Sequence, residues 1–88
     1  MIEVLFITEP NCVQCAKAIK VIEKVQPDFP EMEVSYDDVT VHPEILGKYR
    51  VMAAPVIVIN GNLESSGGLD ESTFRTRLAE LRGGAPRR

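Results

Sequence analysis

Hydrophobic and polar positions alternate along the first half of the chain with periods typical of a strand, a helix and a second strand. Ile2–Thr8 is apolar and rich in β-branched residues, which predicts a strand buried on both faces. Between residues 13 and 26 apolar side chains recur every three or four positions, which predicts a helix that ends before Pro27. Residues 32–36 alternate apolar and polar side chains, as a short strand does.

The second half is predicted to contain a short helix, a hairpin and a long final helix. Pro43 suits the first position of a helix that continues to residue 49. The dense apolar run 55–59 predicts a third strand, and Asn60-Gly61 is a strong two-residue hairpin signal that pairs it with residues 63–66. The last helix is expected over Glu71–Arg82. Its predicted buried stripe is Phe74, Leu78 and Leu81.

The predicted order of elements is therefore β-α-β-α-β-β-α. A strand–helix–strand start implies a parallel pair joined by a right-handed crossover, and the hairpin adds an antiparallel edge. We predict an α/β fold with a four-stranded mixed sheet flanked by helices. Residues 1–82 should form one domain, and residues 83–88 a flexible C-terminal tail.

Composition excludes several classes of protein. A chain that is 44% hydrophobic and 26% charged has the composition of an ordinary globular protein. The net charge of -3 argues against a nucleic-acid partner, because phosphate contacts need a basic face. No apolar run approaches the ~18–20 residues of a membrane helix, and no signal peptide is recognisable. We expect a cytoplasmic monomer without a membrane or nucleic-acid partner.

The most specific chemical signal is the sequence Cys12-Val13-Gln14-Cys15. In a reducing cytosol such a pair is more often redox-active or metal-binding than a permanent bridge. Cys12 is predicted to precede the first helix, where backbone N–H groups lower a cysteine pKa from ~8.5 into the range of about 3.5–7.5. Cys15 lies one turn later on the buried stripe. An exposed, acidic thiol beside a shielded one suits disulfide reduction, with Cys12 attacking and Cys15 resolving the mixed disulfide.

Other interpretations of the two cysteines are open. Both could be small core residues, although the position of Cys12 before the helix argues against this. A zinc site needs a ligand beyond Cys12, Cys15 and His42, and an iron–sulfur cluster shared across a dimer meets the same difficulty. Either site would make the protein a non-enzymatic metal or cluster carrier that uses the same thiols.

Outside the cysteines the signals are weaker. Pro55 opens an apolar strand, where proline is tolerated with a trans bond at the strand start or with a cis bond in a tight turn. Asp70 is placed to cap the last helix. The lysines at positions 17, 20 and 24 share one face of the first helix, for which a solvated surface is the simplest interpretation and the steering of acidic partners the alternative.

Three motifs in this order resemble the glutaredoxin branch of the thioredoxin-fold proteins. They are Cys12-Val13-Gln14-Cys15 after a strand, Ala54-Pro55-Val56 before one, and Ser66-Gly67-Gly68-Leu69-Asp70 before the last helix. The cysteine tetrapeptide is particularly similar to that of the NrdH-redoxins, glutaredoxin-like electron donors to ribonucleotide reductase. The resemblance extends over residues 2–82 and implies a thioredoxin-like, glutaredoxin-type fold and protein-disulfide reductase activity.

The resemblance also implies roles for individual residues. Cys12 would be the nucleophile, Cys15 the resolving thiol, Pro55 a cis-proline that faces them, and the Ala54 backbone a partner for bound peptide. The implied substrate is a protein disulfide, with ribonucleotide reductase as a candidate. The implied redox group is the reversible Cys12–Cys15 disulfide without a further cofactor, and the electron source is thioredoxin reductase or glutathione.

Gly67, Gly68 and Asp70 resemble the element that holds the glutamyl end of glutathione in glutaredoxins, and a helix N-terminus suits a carboxylate. The residues between the cysteines depart from glutaredoxins, which usually have Pro-Tyr there and so an aromatic contact to glutathione. Thioredoxins have a tryptophan before the first cysteine and a buried aspartate six positions upstream of it. Asn11 and Phe6 occupy those positions here, so an ordinary thioredoxin is not expected.

Overall fold

In the computed structural model, which describes residues 1–82, strands and helices follow one another in the predicted order. The elements are β1 (Ile2–Thr8), α1 (Val13–Val25), β2 (Met32–Asp38), α2 (Glu44–Lys48), β3 (Val56–Ile59), β4 (Asn62–Ser66) and α3 (Glu71–Arg82). A 3₁₀ turn, Gln26–Asp28, follows α1 directly. The tail predicted at residues 83–88 lies outside the described residues.

The four strands form one mixed sheet in the order β2-β1-β3-β4. β1 pairs in parallel with β2 and antiparallel with β3, and β3 pairs antiparallel with β4. The turn between β3 and β4 has positive φ at both Asn60 (51°) and Gly61 (84°), the geometry that an Asn-Gly hairpin turn provides. The predicted parallel pair, hairpin and mixed sheet are all confirmed.

The two faces of the sheet bury separate clusters of apolar side chains. One face packs against α1 and α3, whose fully buried residues include Ile22 and Phe74, around Phe6 of β1. The opposite face packs against α2 through Ile45, which meets Val58 and its neighbours. The long helices therefore share one side of the sheet, and α2 lies on the other.

β4 contains a bulge that links the hairpin to α3. Ile57 is opposite Ser65 whereas Val58 is opposite Leu63, which leaves Glu64 as the extra residue. The Glu64 side chain is only 13% exposed, and its Oε1 accepts a hydrogen bond from Arg77 Nε on α3 at 3.0 Å. The bulge thus turns a charged side chain of the edge strand towards the last helix.

Charged side chains also connect the C-terminal part of α1 and the segment after it to α3. Arg75 donates to Asp28 at 2.8 Å and to Glu71 at 3.0 Å, and Lys24 lies 3.2 Å from Glu71. Arg82 binds the carboxylate of Glu31. Exposed pairs of this kind contribute little individually to stability, so the packing of Phe74 and Leu78 into the core is the larger contribution to the position of α3.

Several predicted boundaries differ from the observed ones because pairing with a neighbour extends or shortens an element. β2 continues to Asp38 since its ladder with β1 persists to the end of that strand, although aspartate is unfavourable in isolated strands. β3 begins one residue after Pro55, which has no N–H for the ladder. β4 begins one residue earlier than predicted, at Asn62.

The helices show similar differences. α1 ends one residue before the predicted end, where the 3₁₀ turn begins. α2 spans only Glu44–Lys48, with Pro43 as its N-cap rather than its first helical residue. Leu81 was predicted to be buried but is 37% exposed, because Leu78 is the last residue of α3 that reaches the core.

Candidate active site

The two cysteines lie at the start of α1 and are joined in a disulfide. Cys12 is the N-cap, with an extended backbone (φ -109°, ψ 109°), and Cys15 lies in the first turn with a Cα–Cα distance of 5.1 Å. The backbone N–H of Cys15 donates to Cys12 Sγ at 3.1 Å. Sulfur therefore takes the place of the oxygen that usually caps a helix, and a backbone donor already points at it.

Burial makes the two sulfur-bearing residues unequal. Cys15 is 2% exposed and belongs to the core cluster under α1. Cys12 is partly buried at the margin of that cluster, so it is less exposed than the sequence predicted. No polar or charged residue among residues 1–82 is as buried as the core residues, and Phe6, fully buried, belongs to the same cluster as Cys15. An apolar environment disfavours a thiolate at Cys15.

The Ala54–Pro55 peptide bond is cis, as the resemblance implied. Pro55 is buried, and Ala54 packs partly buried against the cluster that contains Cys15. The Pro55 carbonyl accepts a hydrogen bond from the Gly67 N–H at 2.8 Å, one step beyond the last residue pair of the hairpin. This bond connects the Pro55 segment to the glycine loop that precedes α3.

The glycine loop lies beside the residues between the cysteines. Gly67 has a φ of +89°, a conformation that favours glycine over other residues. A Cβ atom added at Gly68 would lie 4.0 Å from Oε1 of Gln14. The N–H of Gly67 also donates a hydrogen bond to the Pro55 carbonyl. The cysteine, proline and glycine motifs, which are far apart in sequence, therefore come together at one end of the molecule.

Asp70 caps α3, as its position in the sequence predicted. Its Oδ2 atom accepts hydrogen bonds from the backbone N–H and the hydroxyl of Thr73, each at 2.9 Å. These bonds hold the pKa of Asp70 below the usual aspartate value. A cleft adjoins the cap and is lined by Ser65, Gly68, Leu69 and Phe74 among others. The carboxylate is thus used structurally while it also borders an open space.

The lowered pKa of Asp70 predicts a specific pH dependence of stability. The ionised form is favoured in the folded state, so its contribution is complete above the unfolded pKa of about 4 and is lost as the pH falls through the lower folded value. Asp70→Asn keeps a capping side chain but cannot titrate. We expect wild type to be more stable than Asp70→Asn at about pH 6 and the difference to shrink towards about pH 2.5.

Denaturant unfolding of both proteins across this pH range measures the difference. The comparison isolates Asp70, because every other carboxylate is present in both proteins. A constant difference at all pH values would show that the charge of Asp70 does not stabilise the fold.

The structure does not bring His42 to the cysteines. Its imidazole lies 3.5 Å from Glu44 and 4.0 Å from Asp37. Across residues 1–82, no three or more His, Cys, Asp or Glu side chains are grouped so that they could hold a metal ion. Within the same range, no helix has the length and apolar character needed to cross a membrane.

The exposure of two apolar side chains and the position of Gln14 beside the glycine loop were not predicted from the sequence. Gln14 adjoins the glycine loop, and two apolar side chains are strongly exposed: Val13 at 69% and Met52 at 94%. A usable signal existed for Val13, because it lies on the opposite side of α1 from the buried stripe. The sequence signal for the exposure of Met52 was weaker, because it consisted only of an apolar residue three positions before Pro55.

Comparison with known proteins finds that this sequence is similar to thioredoxins. A family model for the thioredoxin domain matches residues 1–79. A thioredoxin of Methanocaldococcus jannaschii is 37% identical over 67 residues, which cover 75% of this chain and 79% of that protein. A probable thioredoxin of Methanothermobacter marburgensis is 32% identical over 62 residues, or 69% of this chain and 73% of that protein.

Solved thioredoxin structures share the fold at lower sequence identity. A mutant thioredoxin from Halobacterium salinarum has a TM-score of 0.80 at 18% identity, covering 97% of this chain and 78% of its own. Thioredoxin of Fasciola hepatica has a TM-score of 0.71 at 23% identity, covering 90% of this chain and 79% of its own. The narrower resemblance to glutaredoxins and NrdH-redoxins stays a prediction. With its sheet, its cysteine pair and these relatives, the chain belongs to the thioredoxin domain family and is a thioredoxin-type thiol–disulfide oxidoreductase.

Proposed function

We propose that this protein reduces disulfides of other proteins, with Cys12 as the attacking thiolate and Cys15 as the resolving thiol. The observation that carries the proposal is the 3.1 Å contact between the Cys15 N–H and Cys12 Sγ at the N-cap of α1. A donor at the positive end of a helix stabilises negative charge on the sulfur that it faces. Only Cys12 receives this stabilisation, so it is the nucleophile.

The proposed cycle has two exchange steps. The Cys12 thiolate attacks one sulfur of the substrate disulfide and displaces the other as a thiolate, which leaves a mixed disulfide. Cys15 then loses its proton and attacks the Cys12 sulfur, which releases the second substrate sulfur. Two electrons pass to the substrate, the Cys12–Cys15 disulfide forms, and an external reductant restores the dithiol. The cysteine pair is itself the redox group, so the cycle uses no bound cofactor.

The burial of Cys15 supports its resolving role. At 2% exposure it is out of reach of a second substrate molecule, whereas its Cα lies 5.1 Å from that of Cys12. A thiol in this position attacks the neighbouring sulfur in an intramolecular step, which is much faster than a bimolecular one at equal reactivity. Cys15 therefore competes well against solvent thiols for the mixed disulfide.

Unpaired backbone groups beside the site support the proposed binding of an extended substrate segment. Within the described range 1–82, neither the N–H nor the carbonyl of Ala54 makes a backbone hydrogen bond. Backbone donors and acceptors that lack a partner within the protein can bind a peptide by adding it as a strand. We propose that the backbone of Ala54 aligns the substrate disulfide with Cys12, next to Pro55.

We further propose that a thioredoxin reductase supplies the electrons and that glutathione binds weakly. A glutathione site requires contacts at both ends of the tripeptide. The cleft beside Gly68 and Asp70 offers one end, but Val13 and Gln14 provide no aromatic ring next to Cys12. Each good contact that is missing costs about 1–1.5 kcal/mol, or roughly tenfold in affinity.

A turnover assay with insulin as the disulfide substrate tests the electron source. We expect reduction with NADPH and a flavin-dependent thioredoxin reductase to be faster than reduction with millimolar glutathione and glutathione reductase. Asp70→Asn is the control for Asp70→Ala, because it keeps the helix cap and removes the charge. Efficient turnover with glutathione that is lost in both variants would instead favour a glutathione-coupled glutaredoxin.

A further inference from the structure

The exposed face of α1 carries a row of residues that the proposed exchange chemistry does not use. At 3.6 residues per turn, Val13, Lys17, Lys20 and Lys24 fall within an arc of about 60°. This arc lies opposite the buried stripe that includes Cys15 and Ile22. The row therefore starts beside Cys12 and runs along the solvent side of the helix.

The lysines of this row differ in their partners. Lys24 is paired with Glu71 of α3 at 3.2 Å, at the far end of the helix. Lys17 and Lys20 are exposed, and neither makes an ion pair with any side chain in the described part of the protein. The first turn of α1 contains no acidic residue. Two uncompensated positive charges thus lie nearest the cysteines, on a protein whose net charge is -3.

Helix geometry gives the separation of the lysine backbones from Cys12 along the helix axis. A rise of 1.5 Å per residue places the Cα atoms of Lys17 and Lys20 about 7.5 and 12 Å beyond Cys12 along the axis. An extended polypeptide advances about 3.3 Å per residue, so these spans correspond to roughly two to four substrate residues. Both separations are close to the Debye length of about 10 Å at 0.1 M salt, so salt at this concentration screens the two charges only in part.

We propose that Val13, Lys17 and Lys20, here called the α1 row, select disulfide substrates that carry carboxylates two to four residues from the attacked cysteine. Val13, 69% exposed, contacts the segment next to the disulfide, and the two lysines attract the acidic residues beyond it. The inference rests on the proposed disulfide reduction and names its substrate class, an acidic polypeptide segment. Complementary charge of this kind acts mainly on the rate of association.

Three model peptides test the α1 row. Each contains the same disulfide, and they differ only at the positions two to four residues from the reactive cysteine, which hold glutamate, lysine or glutamine. The measured quantity is the second-order rate of oxidation of the reduced protein, so that no reductase takes part. At about 0.1 M ionic strength, where a Debye length of about 10 Å limits the effect to charges near the site, we expect the acidic peptide to react about threefold faster than the basic one, and the two rates to approach each other towards about 1 M.

Charge reversal supplies the matched comparison. Lys17→Glu combined with Lys20→Glu should invert the preference between the acidic and basic peptides. Lys48→Glu is the single-charge control on α2, which packs on the opposite face of the sheet, and it should leave the preference close to wild type. Reaction of the neutral peptide should change less than twofold in all variants, which shows that they remain folded and active.

Two results would overturn the substrate selection by the α1 row without affecting the proposed disulfide reduction. One is equal rates with the acidic and basic peptides in wild type. The other is a change of peptide preference in Lys48→Glu that is half as large as the change in the double reversal. In both cases the neutral peptide is still reduced and the proposed function stands. Failure to reduce any of the three peptides would overturn the proposed function, and the α1 row with it.

Discussion

Cys12→Ser is expected to lower insulin disulfide reduction to the uncatalysed rate, whereas Cys15→Ser is expected to stop after one attack and accumulate a mixed disulfide. The difference follows from the geometry of the pair. Cys12 Sγ accepts the hydrogen bond from the Cys15 N–H at the start of α1, so Cys12→Ser removes the sulfur that we propose as the nucleophile. Cys15 is buried behind it, so removing it leaves the nucleophile intact and the adduct unresolved.

Mass spectrometry of each variant after incubation with a disulfide peptide distinguishes the two outcomes. The Cys15→Ser protein should carry one peptide adduct that dithiothreitol releases, and the Cys12→Ser protein should carry none. Wild-type activity in Cys12→Ser would contradict the redox assignment. Stoichiometric zinc or a visible absorption band in the purified wild-type protein would instead favour a metal or cluster carrier.

Phe74→Ala should destabilise the protein by about 3–5 kcal/mol, because it empties a fully buried aromatic site between α3 and the sheet. Domains of this size are stable by only about 4–12 kcal/mol, so the loss is a large fraction of the total. At roughly 4–8 °C per kcal/mol, the melting temperature should fall by at least about 12 °C.

Leu81→Ala is the matched control on the same helix. Its side chain is 37% exposed, so it should lower the melting temperature by only a few degrees, about 4 °C or less. Thermal unfolding followed by circular dichroism measures both variants. Equal losses would mean that Leu81 is packed as the sequence predicted, and that the core extends one turn further than the structure shows.

The elements predicted accurately are those with strong local signals. β1 and α3 have the predicted bounds, and the Asn60-Gly61 turn forms the hairpin, because periodicity and turn preference are encoded in adjacent residues. The extension of β2 to Asp38 accompanies its ladder with β1, and Glu64, the extra residue of the bulge, pairs with Arg77 of α3. These features require a neighbour that is distant in sequence, so local patterns could not predict them.

The features of the candidate site also fall into those with a local sequence signal and those without one. The position of Cys12 at the start of α1 followed from the break at Pro10-Asn11 and the helical stripe after it. The state of the Ala54–Pro55 bond did not follow from the residues, since cis bonds are only about 5–6% of X–Pro bonds, and only the family resemblance indicated it. The proximity of Gly68 to Gln14 had no sequence signal, because it arises where the glycine loop approaches the first turn of α1.

The apolar surroundings of Cys15 determine how long the proposed mixed disulfide lives. Within the described residues no buried carboxylate is available to remove its proton, and Phe6 belongs to the cluster that surrounds it. We propose that the proton goes to water or to the thiolate that the first attack releases. A protein substrate keeps that thiolate tethered nearby, whereas a small-molecule disulfide loses it to solvent. Resolution is then expected to be faster when the first released thiolate stays close enough to take the Cys15 proton, so tethered protein disulfides should spend less time bound to Cys12 than small-molecule disulfides do.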